Sequence, residues 1–294
     1  MDGKKPNLIA PNAGDKTNKT MRQINTILFS LVTFLLLSCG GEDRYGTTPV
    51  GDPSQDGINS SYTAVVAVED RLYYVDSDEL FTADITNPDA ITVMDKQRVG
   101  ENLETVFFTN GLLFIGSGPA LYIYALDSLG MPSKYSETSY SNFDGEVYPC
   151  DPVVADDDYA YVTLSSVQTA AVQITWFFLL PILACTREVE INQLMIYDIS
   201  DLQQPILEST LDLNNPKGLA IEDDILFVCD GDAGLKVIDV SDRRQPVIIE
   251  EMTDIHTYDV IAKDSLLVVT GPSEIAQYDY SDLSDIELLS IYGF

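Results

Sequence analysis

Apolar runs of three to five residues alternate with polar turns from about residue 62 onward. The runs are rich in β-branched and aromatic residues and bounded by Gly, Pro, Asn and Asp, so they predict short β-strands rather than amphipathic helices. The clearest stretch is Leu226–Pro246, where two runs flank the turn Asp230–Gly234 and a second turn leads into a third run. With the preceding run Gly218–Ile221, one unit supplies four strands.

This unit recurs five times along the chain. Its third run starts at Leu80, Leu121, Leu194, Leu235 and Ile275. Four of these five runs begin with Leu, and four of the five, a different set, end with Asp. The copies are 41, 73, 41 and 40 residues apart, and one insertion of some 26 residues at about 164–192 accounts for the long interval. A period near 40 with four short strands per unit is typical of a propeller blade. The sequence therefore predicts an all-β fold, a β-propeller of five four-stranded blades; an open sandwich is the alternative.

Two of the copies carry a family resemblance. Asp198-Ile-Ser-Asp-Leu-Gln-Gln-Pro205 and Asp239-Val-Ser-Asp-Arg-Arg-Gln-Pro246 resemble the LVIVD repeat. The resemblance covers residues 62–294, although copy two has Ala125 where the others have Asp, and copy five lacks the Pro. It implies a secreted, often lipid-anchored bacterial propeller, and it implies no particular biochemical activity.

The Asp that ends each third run has a structural explanation. Its carboxylate can accept hydrogen bonds from backbone N–H groups just after it and so fix the turn that leaves the strand. Because the residue recurs in blades that cannot share one site, we expect a role in turn geometry rather than in catalysis.

The first 38 residues predict a lipoprotein signal peptide. A basic segment precedes the apolar run Ile24–Leu37, which is shorter than the roughly 20 residues that a spanning helix needs. Leu36-Leu37-Ser38-Cys39 then resembles the bacterial lipobox, in which the cysteine receives the lipid, so Cys39 is the predicted lipidation site. Met21 offers an alternative start. Acidic residues after Cys39 resemble a surface-export signal.

The domain organisation follows from these features. Residues 1–38 form the predicted signal, residues 39–61 a flexible tether rich in Gly, Pro, Ser and Asp, and residues 62–294 the propeller with its insertion. We expect an outer-membrane lipoprotein of the bacterial cell envelope, exposed at the surface and attached to the membrane through its lipid.

The charge excludes one class of partner. With 16 basic and 47 acidic residues, the chain has a formal net charge of −31. A surface this negative repels phosphate backbones, so we expect no nucleic-acid binding.

Residue sets for catalysis or metal binding are weak in this sequence. His256 is the single histidine, which leaves no His-rich metal site and no Ser–His–Asp set. The acidic turns could supply oxygen ligands for Ca²⁺, but hairpin turn chemistry explains Asp230-Gly-Asp232 better, because Leu235 and Ser241 stand where an EF-hand loop needs Gly and Glu. These turns are Asp76-Ser-Asp78-Glu79, Asp156-Asp157-Asp158, Glu222-Asp223-Asp224 and Asp230-Gly-Asp232. We therefore predict no cofactor.

Three cysteines follow Cys39. Cys150 precedes the first strand of the third unit and Cys185 lies within its insertion, so these two are the candidates for a disulfide in an exported chain. Cys229 lies within a strand, and we expect a buried thiol there.

The insertion contains the apolar stretch Ala170–Cys185 and the single tryptophan. Its candidate interaction residues are Trp176, Phe177, Phe178, Leu179 and Leu180. Three interpretations remain open: a plug over one end of the propeller, a docking loop for a partner or membrane, and a local sequence irregularity.

Repeat regularity without a reaction-specific residue set favours a binding or scaffolding module with a protein or glycan ligand. The alternative is an extracellular, glycan-directed hydrolase that uses axial carboxylates, since a pair about 5 to 10 Å apart suffices for that chemistry.

Overall fold

The computed structural model describes residues 64–140, 146–147, 152–170 and 187–294. Blade 1 contains β1 (Ala64–Val68), β2 (Arg71–Val75), β3 (Glu79–Asp84) and β4 (Thr92–Arg98). Blade 2 contains β5 (Leu103–Thr109), β6 (Leu112–Ser117), β7 (Ala120–Leu126) and β8 (Pro132–Ser139). Blade 3 contains β9 (Glu146–Val147), β10 (Val153–Ala155), β11 (Tyr159–Ala170), β12 (Arg187–Asp198) and β13 (Ile206–Asp212). Blade 4 contains β14 (Leu219–Glu222), β15 (Ile225–Cys229), β16 (Leu235–Asp239) and β17 (Val247–Met252). Blade 5 contains β18 (Asp259–Lys263), β19 (Leu266–Thr270), β20 (Glu274–Asp279) and β21 (Glu287–Gly293).

Every blade is an antiparallel meander of four consecutive strands, and β9 adds a short pairing to β11 in blade 3. The strands β1, β5, β10, β14 and β18 contact one another from blade to blade, so they surround the axis. The fourth strands are the most exposed. The described residues thus form a five-bladed β-propeller without helices, which confirms the predicted fold class.

The repeat alignment also holds strand by strand. The five predicted third runs are β3, β7, β12, β16 and β20, and their predicted partners are the second strands of the same blades. The insertion differs from a simple loop, because its flanks extend the ladder. β11 and β12 have 12 residues each and pair as far as Ala170 and Arg187.

The turn-forming role of the repeated Asp is confirmed. The carboxylates of Asp84, Asp198, Asp239 and Asp279 each accept a 2.8 Å hydrogen bond from the backbone N–H two residues later. In blade 2, where Ala125 takes the place of this Asp, Asp127 accepts the N–H groups of Leu129 and Met131 instead. Hydrogen bonds from the hydroxyl and backbone of Ser241 hold the pKa of Asp239 below its usual value.

The core lies between blades rather than within them, because a four-stranded sheet has two apolar faces. In the described part of the chain, four buried clusters join blade 1 to 2, 2 to 3, 3 to 4 and 4 to 5. The face of blade 5 that points away from blade 4 is less covered: Ile261 is 43% exposed, whereas its equivalent in blade 4, Ala220, is 9% exposed. Within the described ranges no helix has the length and hydropathy needed to cross a bilayer.

Candidate functional site

The two ends of the propeller carry different sets of turns. In an antiparallel meander, turns alternate between the ends of the blade. The turns between first and second strands and between third and fourth strands lie at one end, which we call the cleft end. The second-to-third turns and the links between blades lie at the other, which we call the insertion end because it includes the turn between β11 and β12.

The cleft end contains a cleft of about 730 Å³ at the mouth of the axis. Its apolar and neutral lining comes from first strands of three adjacent blades: Phe107 and Thr109 of β5, Ala155 of β10 and Ile221 of β14. The remaining lining residues come from turns: Asp156, Asp157, Asp158, Tyr159, Asp223, Asp224 and Arg243. The cleft therefore combines an apolar floor with an acidic rim.

Backbone geometry explains why polar residues collect at this rim. The turn between β14 and β15 has two residues, and Asp223 adopts a φ of 53°. The turn between β5 and β6 repeats this with Asn110 at 50° and Gly111 at 79°. Tight hairpins need positive φ, which Asn, Asp and Gly tolerate best. The longer turn after β10 is fixed by Asp156, whose carboxylate accepts the N–H groups of Asp158 and Tyr159.

One cation, Arg243, enters the cleft from the turn between β16 and β17. Its guanidinium lies 2.9 Å from the Asp156 carboxylate and also binds Asp224. Its Nε donates to the Tyr161 hydroxyl at 3.0 Å, and the group lies 5.4 Å from the centre of the Tyr159 ring. The side chain is 17% exposed, so Arg243 links blades 3 and 4 as a partly buried clamp.

This clamp lowers the pKa of one lining carboxyl group, that of Asp156. Burial raises the pKa of Asp156, but hydrogen bonds from Tyr161 and Arg243 outweigh that effect, and the pKa lies below its usual value. Asp156 is therefore ionised at neutral pH and unsuited to donate a proton as a glycosidase acid must. Five carboxylates face one cation, so the lining is net negative. Its chemistry suits binding of a cationic group better than hydrolysis.

The other acidic turns lie elsewhere. Asp76, Asp78 and Glu79 bring one carboxylate oxygen each within 4.8 Å of one another at the insertion end. Asp76 accepts the N–H groups of the other two residues at 3.0 and 2.8 Å, and Lys96 binds Glu79 at 2.5 Å. These partners are typical of a turn.

The Asp230 turn is likewise structural. Asp230 is fully buried, and its carboxylate accepts the backbone N–H groups of Asn214 at 2.9 Å and Asn215 at 2.7 Å. His256 lies 2.5 Å from Asp232 and packs edge-on against Tyr258, outside the cleft.

Several predicted site residues lie outside the described residues. They are the lipidation site Cys39, the candidate disulfide Cys150 and Cys185, and the candidate interaction residues Trp176, Phe177, Phe178, Leu179 and Leu180. Cys229 is described, and its thiol is buried and free as expected. Arg243 was not among the predicted site residues; the signal for it in the sequence is a basic residue in a turn of a strongly acidic chain.

Repeated meander blades around an axial cleft define this chain as a β-propeller, an architecture suited in general to binding or scaffolding. The LVIVD repeat family model matches residues 189–212 and 215–254, which cover most of β12, all of β13 and all of blade 4. No curated protein matches the chain.

One solved structure supports the fold, and a second is given for comparison. A protein of unknown function from Desulfotomaculum acetoxidans aligns with a TM-score of 0.58 at 9% identity, over 81% of this chain and 71% of that one. Hsv2 from Kluyvelomyces marxianus aligns with a TM-score of 0.47 at 9% identity, over 80% of this chain and 62% of that one.

Proposed function

We propose that this protein is a lipid-anchored binding module of the bacterial cell envelope whose axial cleft takes a cationic segment of a partner protein. The observation that carries the proposal is the acidic rim over an apolar floor, where the one cation among the described lining residues, Arg243, is neutralised by Asp156 and Asp224. A lysine or arginine side chain has a charged head and an apolar stem, which match the rim and the floor respectively.

Selectivity for cations follows from the same arrangement. Asp158 and Asp223 are exposed at the rim, so their carboxylates are accessible to a ligand. Attraction between partly exposed charges is screened by salt, and we expect the affinity to fall as ionic strength rises.

The test is calorimetric titration of the full chain with a lysine-rich peptide and with spermine. The double variant Asp158→Asn, Asp223→Asn removes two rim charges, and Asn tolerates the positive φ of residue 223. We expect binding about three- to tenfold weaker, since a partly exposed ion pair contributes up to about 1 kcal/mol.

The matched control is Asp212→Asn, Asp254→Asn, which removes the same charge from exposed positions at the insertion end. It should leave the affinity unchanged. No binding of either cationic probe, or equal losses in both double variants, would refute cation binding at the cleft.

The proposed anchor rests on the lipobox-like Leu36-Leu37-Ser38-Cys39. Several acyl chains at one residue hold a protein stably at a membrane, because each buried methylene contributes about 0.8 kcal/mol. Radioactive palmitate should label the wild-type chain in bacterial cells and should not label Cys39→Ala. Equal labelling of the two, or none of either, would count against anchoring.

A further inference from the structure

The outermost strand of blade 5, β21, has a free edge of unusual composition. It pairs with β20 on one side, and among the described residues no strand pairs with its other side. All its residues are exposed, including Leu288 at 52%, Ile291 at 53% and Tyr292 at 68%. From Leu288 to Phe294 the chain has no charged residue.

The other four outer strands have the same position on their blades and a different composition. Each carries charged residues, as in the sequences TVMDKQR, PSKYSETS, ILESTLD and VIIEEM of β4, β8, β13 and β17. Charged side chains on an edge strand prevent pairing with another chain. Four blades thus have charges along the length of the outer strand, whereas the single charged residue of β21, Glu287, is at its start.

The contrast between β21 and the other outer strands is clearest at the position of Ile291. Ile291 pairs with Ala276 on the third strand of its blade, and the corresponding residues of β4, β8, β13 and β17 are Lys96, Glu137, Thr210 and Glu251. Three of these four are charged, and each of the three forms an ion pair with a residue of its own blade. Ile291 has an exposed apolar side chain instead.

We propose that β21 is a self-association surface, at which a second copy of this chain adds its own β21 antiparallel to the first. The two strands then meet across a twofold axis close to Ser290 and Ile291, and their blades form one continuous sheet. Backbone hydrogen bonds supply the pairing, as in other cases of strand addition.

The self-complementary, uncharged segment of β21 argues for a second copy as the occupant. At a net charge of −31, two chains repel each other over most of their surfaces. In the strand segment Leu288–Gly293 they can approach without opposing like charges. An antiparallel pair centred there places Leu288, Leu289, Ile291 and Tyr292 of both copies together, so apolar residues cover one another.

Sedimentation equilibrium of the full chain in a nonionic detergent tests this proposal. We expect the wild type to dimerise and Ile291→Lys to weaken the dimer at least about tenfold, because the variant places two lysines near the twofold axis. The variant should fold, since Lys96 occupies the same position in blade 1. The control Val247→Lys changes a residue of similar exposure, 55%, on β17 and should dimerise like the wild type.

A second measurement locates the contact. Under mild oxidation Ile291→Cys should give a disulfide-linked dimer above the wild-type background, and Val247→Cys should not. A monomeric wild type, or a dimer that Ile291→Lys does not weaken, would overturn the proposal. Equal cross-linking of both cysteine variants would do the same.

Discussion

Blades 4 and 5 are built from the same repeat and differ in how far they are buried. Phe227 and Val268 hold equivalent positions on the second strand, as do Leu235 and Ile275 on the third. The blade 4 residues are 0% exposed and pack against blade 5. The blade 5 residues are only partly buried. An apolar pattern therefore specifies a strand that can be buried, while the neighbouring blade decides how much burial occurs.

The largest expected effect separates these two positions. Phe227→Ala should lower the free energy of unfolding by about 3 to 5 kcal/mol, because it opens a cavity where Phe227 meets the Tyr280 ring at 4.8 Å. Val268→Ala should cost less than about 1.5 kcal/mol, since the side chain is already partly in water. Urea unfolding of both variants measures the difference, and equal costs would show that the blade 5 face is covered in solution.

A second comparison contrasts two adjacent arginines, Arg243 and Arg244, in the turn between β16 and β17 of blade 4. Arg243→Met should destabilise the chain by about 1 to 3 kcal/mol, because it leaves Asp156 without its charged partner in a partly buried place. Arg244→Met should cost less than about 0.5 kcal/mol, since Arg244 is 78% exposed and pairs with Glu208 at the surface. Thermal unfolding at neutral pH distinguishes them; similar shifts would contradict the clamp.

A third prediction concerns pH and blade 5. Burial raises the pKa of Asp259, at the start of β18, from 3.8 to about 6. Its contribution to stability is therefore fully present below about pH 4 and is lost as the pH rises through about 6. Asp259→Asn should raise the free energy of unfolding at pH 7.5 by about 1 to 3 kcal/mol and flatten its slope between pH 4 and 6.

The control for this pH effect is Asp279, which has the opposite shift. Hydrogen bonds from the backbone and hydroxyl of Ser281 lower its pKa below 3.8. The stability that the ionised Asp279 contributes is present above about pH 3.8 and is lost only as the pH falls further. Asp279→Asn should therefore leave the slope between pH 4 and 6 unchanged. A flattened slope in both variants would remove Asp259 as its cause.

The smallest expected effect is on dynamics. Amide hydrogens of β19 should exchange faster than those of β15, because an exposed face permits local opening at lower free energy. Hydrogen exchange followed by mass spectrometry compares the two strands directly, and equal protection would mean that blade 5 opens only when the whole domain unfolds.

The strands could be predicted because the unit repeats, and the site could not, because it depends on distant residues. Five copies of one pattern fixed the order and pairing of strands, and even the turn made by Asp239 followed from local chemistry. The clamp joins Arg243 to Asp156 across 87 positions in the sequence, and no repeat contains both. The exposure of this face of blade 5 could not be predicted either, since Val268 and Ile261 look like core residues in the sequence.

The four buried clusters, each between consecutive blades, also bear on how such a chain can evolve. Every one of these blade–blade contacts repeats one kind of junction. A duplicated unit would bring with it both of the faces that such a junction needs. Blade number in this architecture is therefore a quantity that gene duplication can adjust one unit at a time.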